Sequence, residues 1–166
     1  AERGIKFIGP SAEVIRRSFK RIGIATVLGK ADGFINLDAE MLFSKQIDRL
    51  PGDRMVLELL ETVAINDDII ERCRQLKRLG FRLALDDVSF YSDCYAPLFE
   101  MADVIKIDLP LLNEARLAAL VGQLKPYAGK LLAEKVETRE RFEECRALGF
   151  QLFQGFFLSR PMLLTA

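Results

Sequence analysis

Two textures alternate along the chain. Short apolar runs recur at FINL (34–37), MVLELLE (55–61), FRLALDD (81–87), VIKIDL (104–109), KLLAEKVE (130–137) and QLFQGFFL (151–158). Between them lie longer, charged segments with helical spacing, such as DDIIERCRQLKRLG (67–80) and TRERFEECRALG (138–149). In the second, Phe142, Cys145 and Leu148 set an apolar stripe at i, i+3 and i+6. Thr138 with Arg139, Glu140 and Arg141 marks a candidate helix start. Gly80 and Gly149 sit where C-terminal caps belong, and each is followed by Phe and a new strand. Six strands alternating with helices predict a parallel α/β fold. No low-complexity segment or long linker divides the chain, so residues 1–166 read as a single domain.

Polar residues interrupt the apolar runs at or just inside their C-terminal ends. Asn36 ends FIN, Glu58 and Glu61 lie in MVLELLE, and Asp86 with Asp87 ends LALDD. Lys106 and Asp108 follow VI, Glu134 and Glu137 follow KLLA, and Gln154 precedes Gly155. An open doubly wound sheet and a (β/α) TIM-type barrel both bind ligands beyond the C-terminal ends of their strands. An open sheet needs polar groups at one switch point, whereas here every strand supplies one, which favours the barrel. No glycine-rich phosphate loop follows any strand, which weakens a Rossmann arrangement further.

Composition narrows the chemistry. The 24 basic and 24 acidic residues cancel, so no broad field draws the chain to nucleic acid or an anionic membrane. The chain has no His, which excludes His-based triads, His general bases and the usual zinc sites. Three cysteines, Cys73, Cys94 and Cys145, are odd in number and far apart, and read as reduced thiols of a cytoplasmic protein. Cys73 and Cys145 fall on helix faces as core residues. No apolar run reaches the roughly 20 residues of a membrane span, and AERGIKFIGP lacks a secretory h-region.

What remains is an oxygen-only array of Asn36, Glu58, Asp86, Asp87 and Glu134, with Lys106 the one cation among them. Hard oxygen donors suit Mg²⁺, Mn²⁺ or Ca²⁺ rather than zinc. Adjacent carboxylates can serve two cations, polarising phosphate oxygens and activating a water, while a lysine orients that water. Each residue also has a plainer role. Asp86 or Asp87 could cap the following helix, Lys106 could pair only with Asp108 or a neighbouring carboxylate, and Gln154 could be a hydrogen-bonded core amide. The repetition at every strand end is what favours a shared site.

The motifs resemble those of the EAL domain family, bacterial phosphodiesterases and receptors of the second messenger cyclic di-GMP. The resemblance rests on FIN at Asn36, LELLE at Glu58 and Glu61, and LALDD at Asp86 and Asp87. KID at 106–108, AEKVET at 133–138 and FQGFFLSRP at 153–161 complete it, in family order and spacing over residues 11–162. It implies a (β/α)₈ barrel whose first strand is antiparallel to the rest. It assigns Asn36, Glu58, Asp86 and Asp87 to Mg²⁺ or Mn²⁺, with Glu134 at the second metal or as the water-activating base. Lys106 would hold the attacking water, Glu137 is the motif's second acid, Glu61 anchors the loop after the acid pair, and Gln154 lines the nucleotide pocket. The wording AEKVET and FQGFF is similar to EAL modules that precede an HDOD domain, a degenerate and often non-hydrolytic branch.

Three departures accompany these matches. No Glu-Ala-Leu segment lies upstream of Ser11, so six of eight barrel strands are expected, with IKFIG (5–9) and a partner as one way to cover the gap. The family's DDFGTG loop reads DDVSFY, with Ser89 and Tyr91 in place of its glycines. The family's glycine between the acids of AEGVE is Lys135. Strand alternation points Lys135 away from Glu134, whereas a local twist bringing its ammonium inward would put it in cation space. Two functions follow: a regulatory module with weak or no turnover that works by binding protein or nucleotide, or an active metal-dependent phosphodiesterase opening cyclic di-GMP to the linear dinucleotide. Partners implied are cyclic di-GMP, a protein or HDOD-like domain, and a homodimer, with no DNA and no membrane.

Overall fold

The computed structural model describes residues 5–8 and 32–157. The chain divides into two compact units, residues 1–84 and 85–166. Each repeats the strand-then-helix unit of an α/β fold.

In the first unit the strands are β1 (Ile5–Ile8), β2 (Asp32–Leu37), β3 (Met55–Leu59) and β4 (Arg82–Leu85), ordered β1-β2-β3-β4. β1 pairs parallel with β2 from Ile5↔Asp32 to Ile8↔Ile35, and β2 pairs parallel with β3. The strand count expected from sequence therefore rises from six to seven among the described residues. IKFI lies within the IKFIG segment expected as one way to cover the gap, and it takes the edge of β2 that would otherwise offer unpaired backbone groups. All five residues of β3 are buried, as a strand covered on both faces requires.

Helix α1 (Ala39–Leu42) is a single turn capped by Asp38, whose Oδ1 accepts from the Met41 amide at 2.7 Å. Helix α2 (Asp67–Arg78) carries the predicted pattern more fully. Asn66 caps it by accepting from the Ile69 amide at 3.0 Å, acidic Asp67 and Asp68 lie in the first turn, and Lys77 and Arg78 lie in the last. Ile69, Ile70, Cys73 and Leu76 form its buried face. Gly80 ends it at φ +90, while the Phe81 amide donates back to the Leu76 carbonyl at 3.2 Å. Against this turn Gly52 packs so closely that a Cβ would lie 2.6 Å from the Leu79 carbonyl oxygen.

In the second unit the strands are β5 (Val104–Asp108), β6 (Lys130–Glu134) and β7 (Leu152–Phe153), ordered β5-β6-β7 and parallel. Three helices connect or flank them: α3 (Ala96–Met101), α4 (Glu114–Leu124) and α5 (Arg139–Leu148). Thr138 does begin α5, its Oγ1 accepting from the Arg141 amide at 3.1 Å, and Gly149 closes it at φ +104. Of the predicted stripe on α5, Cys145 is fully buried while Phe142 and Leu148 are half-buried. Two runs are shorter as strands than their apolar content suggests. KLLAEKVE stops at Glu134 because Lys135 turns left-handed at φ +57, and QLFQGFFL keeps only two strand residues.

Candidate functional site

In the first unit the register places Asn36 of β2 opposite Glu58 of β3. Paired residues on neighbouring strands present their side chains to the same face, so these two oxygen donors stand side by side. Asn36 is half-buried and Glu58 is buried. Glu61 lies in the turn just past β3 and is exposed.

In the second unit β5 and β6 bring more of the predicted residues together. Residues Lys106 and Asp108 are two apart on β5, hence on one face, and Asp108 is in register with Glu134 at the end of β6. The Lys106 ammonium lies 2.5 Å from Asp86 Oδ1 and 3.0 Å from Glu134 Oε1. All three side chains are largely buried, so this is a shared interior cation between two acids. Burial holds the Glu134 carboxyl above its usual range; Lys106 pulls it back down, and the charges of Asp86 and Asp87 push it up again. Asp87 follows in a left-handed conformation at φ +46, and the Val88 amide then donates to the Lys106 carbonyl at 2.9 Å. Neither aspartate caps a helix: Ser92 precedes the next helical turn and Tyr95 caps α3.

Lys135 takes the second of the two expected orientations, brought inward by a local turn. Alternation would send it away from Glu134 only if β6 continued, but the strand ends at Glu134 and the left-handed turn redirects the next side chain. Its ammonium donates to Asp108 Oδ2. The Lys135 side chain is 58% exposed and that of Asp108 only 4%. The ammonium is raised in pKa chiefly by the hydrogen bond to Asp108, with Asp87 and Glu134 adding to it through their charge. The other oxygen, Asp108 Oδ1, is buried without a hydrogen-bond partner among the described residues. Asp108 was visible in the sequence as a strand-end polar residue, and its i+2 spacing from Lys106 was the signal that it belonged to this face.

The segment after Asp87 is anchored by aromatic rings. Tyr91 stacks on Phe99 with ring centroids 5.6 Å apart, and its hydroxyl lies 3.0 Å from the Tyr127 hydroxyl. Phe99 in turn packs on Tyr127 and Tyr95. At the other edge, the Gln154 amide donates to the Ala133 carbonyl at 2.8 Å, and the Val136 amide donates to the Gln154 carbonyl at 3.0 Å. Gly155 lies so close that a Cβ would fall 2.2 Å from the Val136 carbonyl oxygen. Gln154 is exposed rather than a core amide, and Glu137 is also exposed. Leu158 to Pro161 of the FQGFFLSRP motif and the Ser11 region lie outside the described residues.

Oxygen donors dominate this set, and one buried carboxylate oxygen lacks a partner, so the donor chemistry fits a hard divalent cation. The EAL domain family profile matches residues 14–161. An uncharacterized protein, YuxH of Bacillus subtilis, is 32% identical over 161 residues, covering 93% of this chain and 39% of YuxH. The cyclic di-GMP phosphodiesterase CdgJ of Vibrio cholerae is 31% identical over 153 residues, covering 91% of this chain and 35% of CdgJ. The chain thus spans well under half the length of these two relatives. Among solved structures, the EAL-domain protein YkuI of Bacillus subtilis, in complex with substrate c-di-GMP and calcium, superposes with a TM-score of 0.70 at 21% identity, covering 95% of this chain and 45% of YkuI. That likeness shows the fold, an α/β chain of the TIM-type barrel class. No helix among the described residues is long and apolar enough to cross a membrane.

Proposed function

The chain belongs to the EAL domain family, and from that premise we propose that it is a cyclic di-GMP signalling module with weak or no hydrolytic turnover. It works by binding the nucleotide or a protein partner. The observation that carries this reading is the anchoring of the loop after Asp87. Where the family has glycines the chain has Ser89 and Tyr91, and Tyr91 is fixed by stacking on Phe99 and by its hydroxyl contact with Tyr127. A loop tied to the body in this way has lost the conformational freedom glycines confer. It is poorly suited to rearrange between metal-bound and metal-free states.

In this reading the resemblance assigns Asn36 and Glu58 of the first unit, and Asp86, Asp87 and Glu134 of the second, to Mg²⁺ or Mn²⁺, Glu61 to support of the loop, Glu137 to the motif's second, catalytic acid, and Gln154 to the nucleotide. The exposure of Gln154 suits contact with an arriving ligand. A bound divalent cation would supply polarisation of phosphate oxygens and a more acidic water. Lys106 orients Asp86 and Glu134 through its two short contacts. The wording AEKVET and FQGFF supports placement in the branch that precedes an HDOD domain, with residues 1–166 acting as one EAL domain and pairing into a homodimer. Three free cysteines suit a cytoplasmic location, and the balanced charge suits neither DNA nor membrane as partner.

A second reading, the active phosphodiesterase, is favoured by one specific observation. Burial raises the Glu134 carboxyl towards the range useful for accepting a proton, and Lys106 holds it in place. The test incubates the full protein and Asp86→Asn with cyclic di-GMP and Mg²⁺ or Mn²⁺. Nucleotide binding by calorimetry with no linear dinucleotide formed is the expected result. Turnover that Asp86→Asn abolishes would sink the regulatory reading in favour of the enzyme.

A further inference from the structure

We infer that Lys135 is a built-in cation of the acid cluster, which neutralises Asp108 and competes with a divalent ion for the site. The inference rests on the metal-binding reading above and concerns how this chain's own residues limit that binding.

Four carboxylates, those of Asp86, Asp87, Asp108 and Glu134, interact with two ammonium groups, Lys106 and Lys135. With every group ionised, four negative and two positive charges leave −2, and without Lys135 the cluster stands at −3. Lys135 thus cancels one unit of the negative charge that these four carboxylates would offer a divalent cation. Lys106 is committed to Asp86 and Glu134 in the interior, so it cannot leave without stranding both. Lys135 differs: its stem is mostly exposed and only its ammonium engages the buried Asp108. It can swing into water when another cation arrives.

Two observations make this more than a surface ion pair. Asp108 is buried and its Oδ1 has no hydrogen-bond partner among the described residues, so a cation is what compensates its charge. The lysine also reaches Asp108 from a left-handed backbone, which disfavours any residue bearing a Cβ. Its ammonium is thus placed by a turn that a glycine would make more easily.

The test titrates Mn²⁺ into the full protein by electron paramagnetic resonance, comparing wild type, Lys135→Gly, Lys135→Asn and Lys135→Arg. Circular dichroism checks each fold. Glycine and asparagine both tolerate the left-handed turn, so the two neutral variants share loss of charge without sharing a side chain. Removing one unit charge at contact range should tighten Mn²⁺ binding on the order of tenfold in Lys135→Gly and Lys135→Asn, with Lys135→Arg staying near wild type. Mn²⁺ binding by the neutral variants alone would support the inference in its strongest form. Equal affinity across all four proteins, or tightening in Lys135→Arg as well, would overturn it while leaving the metal site standing. No Mn²⁺ bound by any of the four would overturn both this inference and the metal reading beneath it.

Discussion

Replacing Lys106 with methionine removes the shared interior cation while nearly keeping its volume. Its ammonium contacts Asp86 at 2.5 Å and Glu134 at 3.0 Å, and the lysine side chain is 6% exposed. Each unit-charge pair near 4 Å is worth about 4 kcal/mol at an effective dielectric of 20. The desolvation that lysine no longer suffers offsets part of this. Losing one partner of a buried pair costs about 3–5 kcal/mol in practice, and that is the expected loss at pH 7. The cost is capped because Glu134 can take up a proton, at about 1.4 kcal/mol for each pKa unit. This fixes the sign of the pH dependence. Glu134 is already raised above its usual 4.5 by burial, with Lys106 the first influence lowering it. In Lys106→Met it rises further, so the folded state keeps a proton that the unfolded chain releases near 4.5. Stability therefore falls as pH climbs from 4.5 through the folded value, and the variant's deficit should be smaller at pH 5 than at pH 7. Urea unfolding followed by far-UV circular dichroism measures it, since the chain contains no Trp. Coincident tyrosine fluorescence transitions would license a two-state analysis. A deficit under about 1 kcal/mol, or one equal at both pH values, would refute the account of Lys106 as a buried, shared counter-ion.

Two further outcomes are expected. The Tyr91 hydroxyl is pushed up to about 12, first by its hydrogen bond with Tyr127 and then by burial, so absorbance titration should show a tyrosine ionising near that value. Because the raised phenol keeps its proton in the fold, stability should fall as pH rises from 10 towards 12, and Tyr127→Phe should bring the late titration back towards 10; an unchanged curve would contradict the pairing. Gly155→Ala should destabilise the second unit by at least about 1–3 kcal/mol, since its Cβ would lie 2.2 Å from the rigid Val136 carbonyl oxygen; a thermal melt matching wild type would mean the backbone there can yield.

Much of the fold was legible because local and tertiary demands agree. The run MVLEL is apolar throughout and is buried throughout, and DDIIERCRQLKR carries its cap, its charges and its apolar face in the sequence itself. Gly80 and Gly149 announce the helix ends because the left-handed turn there suits a residue without Cβ. IKFI was the exception among strands. Its four residues carry no signal beyond composition, and it becomes β1 only through the long-range register with β2.

The candidate residues could be picked out of the sequence but their pairings could not, and the reason is the conformation at strand ends. Period-two alternation predicts orientation only while the strand continues. It correctly groups Lys106 with Asp108 on β5, and it fails one residue past β6. There Lys135 adopts φ +57, and just past β4 Asp87 adopts φ +46. Both are non-glycine residues in a region that favours glycine and, less strongly, Asp, and the one hint in the sequence is that Lys135 stands where the resembled family has glycine. Yet these two turns decide the electrostatics of the second unit. The first delivers an ammonium to Asp108, and the second sends the chain from Asp86 into a loop fixed by Tyr91. Left-handed, non-glycine residues held at functional strand ends are positions where surrounding structure overrides local preference. The acids of LALDD and AEKVE stand out in the sequence as strand-end carboxylates, but the ion pairing around them is set by the two turns that follow them.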